Sequence, residues 1–271
     1  MSYEFRLLGP LEVHHHGRPL TVAGAKRRLL LLSLLLHLNR PVSLEWLRDA
    51  LWDVQPPVSA TSNIRGYVMS LRQQIAHPDE VQIVTCGNGY QLVAPAAYVD
   101  LTEFDSLTRY GRNAMAQGEF SGAARAFDAA LALWRGPVGD GASPGKALEN
   151  RLLVLVEQRM TTREDLAEAR LALGQLAEVI ADLRILVADE PLRERAWAQL
   201  IRALYASGDT AGALAAHSAA RSLLVDRLGL EPGHELRDIQ QAILRRDPEL
   251  ARARVRMASP PAPPEIREPV E

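Results

Sequence analysis

Residues 61–75, TSNIRGYVMSLRQQI, carry many groups that can hydrogen-bond and none that repels an anion. Ile64, Val68, Leu71 and Ile75 recur at intervals of four, three and four, which is one stripe of a helical period. Placing residues about 100° apart turns Ser62, Gly66, Met69, Ser70 and Gln73 away from that stripe. Arg65 and Arg72 then share one flank, and Asn63, Tyr67 and Gln74 the other. Arginine reads guanine or clamps a phosphate, Gln and Asn pair with adenine, and Met meets a thymine methyl. Gly66 costs about 1 kcal/mol in a helix interior. On an outward face its missing side chain lets a groove come close. The chemistry these types predict is recognition of duplex DNA. Thr61 at the start of the run, and Thr85 and Asn88 beyond it, join the same candidate set.

Other chemistries find less support. Three histidines stand at 14–16, but neighbouring side chains on a strand point to opposite faces. No Cys or carboxylate is spaced to complete a metal site, so the tract reads as a solvated hairpin end. The segment GDGASPGKA at 139–147 approaches a phosphate-binding loop. That pattern requires a glycine where Asp140 stands, and a Ser or Thr where Ala147 stands. It reads as an inter-helix loop. No HExxH, paired-cysteine cluster or nucleophile elbow is present, so neither an enzyme nor a cofactor is expected. Cys86 is the single cysteine and has no partner for an internal disulfide. The greasiest run, LLLLSLLLHL at 29–38, is about half the length that crosses a bilayer. With no charged-then-apolar signal at the start, the expected location is cytoplasmic, without a membrane partner.

The formal net charge of −2 conceals an asymmetry. Residues 1–95 hold nine Lys/Arg and seven Asp/Glu, and the remainder is acidic. From Val54 to Pro78 there is no acidic residue, and from Val81 to Val99 no formal charge of either sign. A surface without carboxylates approaches phosphates without like-charge repulsion, even where its basic count is modest.

The elements that must hold these residues follow from the flanking pattern. YEFRLLGPLEVHHHGRPLTV alternates apolar and polar and is broken at Gly9-Pro10 and Gly17, giving three short antiparallel strands. A first helix runs from about Ala25 to Leu38, with Lys26, Arg27 and Arg28 in its first turn, where the helix dipole disfavours cations. A phosphate neighbour would offset that cost; three solvated basic residues are the other reading. PVSLEWLRDALW gives a second helix with Ser43 as N-cap and Glu45 in its first turn. Leu44, Leu47, Leu51 and Trp52 are its apolar stripe. DVQPPVSAT forms the turn into the third helix. VQIVTCGNGYQLVA then gives two strands about Asn88-Gly89. Strands, three helices and a hairpin describe a winged helix-turn-helix, whose third helix enters the major groove.

The second half repeats itself. ALGQLAEVIADL (172–183) and ASGDTAGALAAH (206–217) align 34 residues apart, matching Gly174 with Gly208 and Ala181 with Ala215. QGEFSGAARAFDAALAL (117–133) resembles half of a tetratricopeptide repeat, with turn glycine Gly118 and the Ala123/Phe127 spacing. Trp197 and Leu200 open the last repeat, which departs where His217 replaces the usual Phe. Stacked pairs of this kind make a protein-contact scaffold. The expected fold is mainly α with a small β component. It comprises a winged helix-turn-helix domain (1–95), an all-α tetratricopeptide-like domain (96–250) and a disordered Pro-rich tail (251–271).

This pairing resembles the Streptomyces antibiotic regulatory protein family across residues 4–247. The resemblance rests on FRLLGPLEV, NIRGYVMSLRQQI, GNGYQL and the block DEPLRERAWAQLIRALYASGDTAGALAAHSAARSLLVDRLGLEPGHELRDIQQAIL. That last block is similar to the family's bacterial transcriptional activator domain, and the first to a response-regulator-type winged helix. The resemblance implies an activator that binds direct repeats in promoters of antibiotic biosynthetic clusters. It also implies recruitment of RNA polymerase holoenzyme with its sigma factor, and self-association on DNA. Arg72 falls at the family's arginine, whereas Arg65 and Gly66 depart from its usual residues, which bears on the promoter sequence read. The chain looks like the family's small form, controlled by its own abundance. A tetratricopeptide scaffold whose winged helix contacts protein is the alternative.

Overall fold

The computed structural model describes residues 3–53, 55–77, 80–139, 143–247 and 250; the tail expected over 251–271 lies outside the described residues. Strands β1 (Tyr3–Arg6), β2 (Glu12–His15) and β3 (Arg18–Pro19) form the expected antiparallel meander. Helix α1 (Ala25–Leu35) buries every residue from Leu29 to Leu35. A short strand β4 (Val42–Ser43) leads into α2 (Leu44–Leu51), where the Ser43 hydroxyl accepts from the Trp46 amide at 3.1 Å, the expected cap. The buried stripe of α2 is Leu47, Ala50 and Leu51, with Leu44 and Trp52 only partly covered. Helix α3 (Ala60–Ile75) buries Ala60, Ile64, Val68, Leu71 and Ile75, the predicted stripe plus one residue. Strands β5 (Gln82–Cys86) and β6 (Gly89–Val93) make the hairpin, and β7 (Tyr98–Val99) follows.

Two strand pairings carry no signal in the local sequence. β7 returns to lie parallel to β1, giving a four-stranded sheet in the order β3-β2-β1-β7. β4 pairs with β6, giving a second sheet in the order β4-β6-β5. Both β4 and β7 are two residues long, too short for any alternation to register.

Two turns differ from expectation. Cys86 pairs with Gly89, so the hairpin turns on Gly87-Asn88, one residue earlier than expected, with Gly87 at φ 53°. Gly89 instead serves β4: a Cβ there would collide with the Val42 carbonyl. At the other hairpin, His15 pairs with Arg18 around a two-residue turn, His16 at φ 49° and Gly17 at φ 74°, a primed turn. His16 therefore leaves strand geometry, and the alternation that separates neighbouring side chains no longer holds. Its ring lies 4.3 Å from that of His15, and Glu80 supplies a carboxylate 3.2 Å from His15 Nε2.

The remaining described elements are helical: α4 (Asp100–Ala116), α5 (Phe120–Ala132), α6 (Lys146–Ala172), α7 (Leu176–Asp189), α8 (Glu194–Ala206), α9 (Thr210–Leu228) and α10 (His234–Leu244). Among the described residues one turn geometry recurs at three glycines. Gly118, Gly174 and Gly208 all have positive φ. In each case the glycine amide donates three residues back, and the next amide five residues back: Glu119 to Ala114, Gln175 to Arg170 and Asp209 to Leu204, at 2.9–3.0 Å. This is the Schellman closure, and it turns the residue spacing read from sequence into a structural repeat. Ala123 and Phe127 are fully buried. Trp197 is buried and its Nε1 donates to the Pro191 carbonyl at 2.9 Å.

Packing groups the residues up to 108 with 129–161 in one compact unit, and 109–128 with those from 162 in a second. This border differs from one at 95/96. In the first unit the Arg135 amide donates to the Leu8 carbonyl at 2.7 Å, and the Gly145 amide to the Ala50 carbonyl at 2.8 Å. Gly145, in the segment that approaches a phosphate-binding pattern, thus packs against the end of α2. Asp100, buried in the same unit, accepts from the amides of Leu7 and Leu8 at 2.7 and 2.9 Å.

Candidate nucleic-acid interface

The candidate residues on α3 and around it separate into two groups. Ser62, Arg65, Gly66, Met69 and Gln73 are exposed on one face of the helix. Met69 has 62% of its surface open, high for a large apolar side chain. Among the described residues, the side chains of Arg65 and Gln73 form no hydrogen bond or ion pair within the protein. No carboxylate lies on α3 at all. Thr85 and Asn88 are exposed on the hairpin, Asn88 at its turn.

The second group is held by the protein itself. Arg72 Nε donates to the Ile83 carbonyl at 2.7 Å and its Nη2 to the Thr85 hydroxyl at 3.1 Å. The same guanidinium stands 6.0 Å from the centre of the Tyr90 ring. Arg72 thus ties α3 to both strands of the hairpin. Arg27 Nη1 donates to the Ser70 hydroxyl at 2.9 Å, and Gln74 Nε2 reaches the same oxygen at 3.3 Å. Ser70 is therefore the junction between α1 and α3. Lys26 donates to the Leu51 carbonyl and lies 5.7 Å from the Trp52 ring centre. There it satisfies a carbonyl left open at the end of α2. Lys26 and Arg27 in the first turn of α1 thus find partners at neighbouring helices, a resolution the local sequence does not display.

At the start of α3, Ser62 Oγ donates to the Ser59 carbonyl at 2.8 Å and Asn63 Nδ2 to the Ser59 hydroxyl at 3.2 Å. Ser59 itself caps no backbone amide with its side chain. The Ala60 amide donates to the Pro57 carbonyl at 2.8 Å, so the amides of Thr61 and Ser62 are the donors left at the positive end of the helix dipole, features that attract phosphate. Thr61 and Tyr67 are half-buried, Tyr67 against the core. One further positioning residue lies at the base of the wing. Asn39 has φ 60°, its amide donates to the Leu92 carbonyl at 2.9 Å, and its Oδ1 accepts from the Ala94 amide at 3.0 Å. It fixes the base of the wing to the chain leaving α1. Asparagine just past a helix end, where left-handed backbone is common, was the available signal.

Residues 99–244 match the model of the bacterial transcriptional activator domain. The chain is 35% identical over 257 residues to the regulatory protein DnrI of Streptomyces peucetius, covering 92% of this chain and 94% of that one. It is 37% identical over 248 residues to the transcriptional regulatory protein EmbR of Mycobacterium tuberculosis, covering 90% of this chain. The chain spans 64% of the length of that relative. The solved structure of Mycobacterium tuberculosis EmbR in complex with low affinity phosphopeptide superposes with a TM-score of 0.84 at 36% identity, over 90% of this chain and 65% of that one. Among the described residues no helix is long and apolar enough to cross a membrane. With the winged helix, the recurring helical turns and these relatives taken together, the chain belongs to the Streptomyces antibiotic regulatory protein family of transcriptional activators.

Proposed function

We propose that the chain binds promoter DNA by inserting α3 into the major groove, with Arg65, Met69 and Gln73 facing base edges and the hairpin touching adjacent backbone. The observation that carries this reading is the exposed face of α3: free donors, no carboxylate and an open backbone at Gly66. A surface helix without such a role ordinarily carries acidic groups for solubility. Arg72 and Arg27 brace this face, and the uncapped start of α3 offers amides to a phosphate. The family supports direct repeats as the target, a secondary-metabolite cluster as the regulated unit, and RNA polymerase holoenzyme with its sigma factor as the partner of the helical repeat.

The test is a titration against DNA upstream of neighbouring genes at several salt concentrations. Binding is expected to weaken with salt along a log–log slope that reflects a few phosphates, with protection of repeated half-sites in a footprint. A slope near zero, with no protected sequence, would leave the winged helix as a protein-contact module.

A further inference from the structure

We propose that His15, His16 and Glu80 form a zinc site at the edge of the N-terminal sheet. One ring nitrogen from each histidine and one carboxylate oxygen of Glu80 all lie within 4.8 Å of one another. His15 Nε2 is already 3.2 Å from Glu80 Oε2, and two ligands held by a tetrahedral ion at ~2.0–2.2 Å are roughly 3.3 Å apart. Two imidazoles and a carboxylate are a donor set suited to zinc, with a fourth position left for water or a further ligand. His77 stands nearby, its ring centre 5.8 Å from that of His15.

The backbone gathers these donors in a way that local spacing does not suggest. His16 occupies the first position of a primed turn, where asparagine or glycine is the easier choice. The left-handed conformation brings its ring beside that of His15 instead of across the strand. Tyr3 stacks on His15 at 4.2 Å and holds that ring in place from β1. Glu80 arrives from the connection between α3 and β5, sixty-five positions along the chain. A bound ion would therefore fasten the β2–β3 hairpin to the segment that immediately follows the recognition helix. His14 provides an internal control, because strand alternation places it on the opposite face from His15.

The experiment uses the full chain without an affinity tag and zinc chloride as the probe. Calorimetric titration is expected to show one zinc ion per chain and a melting temperature that rises with zinc, since an ion held only by the folded state stabilises it. Glu80→Gln preserves size and removes the charged ligand, and is expected to weaken zinc at least ~10-fold while leaving the metal-free melt intact. His14→Ala is expected to bind as the native chain does. Absence of saturable binding overturns the site. So does Glu80→Gln binding with native affinity, or His14→Ala losing zinc to the same degree, because a linear histidine tract would then be the chelator.

Discussion

An alanine at Gly66 would touch nothing within 4 Å, so the protein's own packing does not require glycine there. Replacing it should stabilise the isolated protein by up to about 1 kcal/mol through helix propensity. If α3 seats in a groove, the same methyl obstructs the approach, and Gly66→Ala should melt higher yet bind promoter DNA more weakly. Paired thermal melts and titrations check both halves of that outcome. Arg65 and Arg72 separate on similar grounds. Arg65→Ala should leave stability unchanged, cost about 1–3 kcal/mol on the cognate site and relax preference at one base position. Arg72→Ala breaks a charged donor's bonds to Ile83 and Thr85, worth about 1–3 kcal/mol of stability, and should weaken binding to all sequences alike. Arg72→Lys restores the charge but not the two-pronged geometry. Recovery of DNA binding in Arg72→Lys without recovery of the melt would show that charge toward phosphate matters more than bracing.

At the scale of the element, the sequence was most legible where periods are long. The α3 stripe, the Ser43 cap and the 34-residue recurrence of Gly174 and Gly208 all depend on local geometry that residue types specify directly. Arg72 was equally visible, but its partners Ile83 and Thr85 lie on another element, and no local pattern reveals which cation a tertiary contact will engage. The shift of the hairpin turn to Gly87-Asn88 has the same origin, since Gly89 answers to β4 rather than to its own turn. His217 shows how an element absorbs an odd residue. It fills the place of the repeat's phenylalanine and is buried. Burial, and then the charge of Arg221, hold its pKa below the ordinary histidine value. The unfolded chain therefore takes up a proton at a higher pH than the folded one. Stability is full above the unfolded value of about 6.5 and declines as pH falls from there toward the lower folded value. His217→Phe should flatten that acid-side loss, measured as melting temperature from pH 7.5 to 5. Trp197→Ala should destabilise the repeat by about 3–5 kcal/mol and leave the metal-free stability of the first unit unaltered. A normal melt in this variant would displace the repeat register.

At the scale of the whole molecule, the border between units governs what a fragment can do. A chain ending at 95 lacks β7, the Asp100 carboxylate that accepts from Leu7 and Leu8, and the Arg135 amide that donates to Leu8. Leaving the buried Leu7 amide without its acceptor costs about 1–3 kcal/mol by itself. Residues 1–95 should therefore unfold at a clearly lower temperature than the first unit does in the full chain, which circular dichroism of the fragment and intact protein checks. The order of synthesis gives the same feature another meaning. The first unit draws on residues up to 161, so it stays unfinished while the stretch from 96 to 161 is translated. At ~5–20 residues per second, roughly 3–13 seconds separate the emergence of the last wing residue from the arrival of the segment that completes its core. Through that interval α3 already has α1, α2 and the hairpin to pack on, but β1 still lacks β7 at its edge and the amides of Leu7 and Leu8 still lack the Asp100 carboxylate.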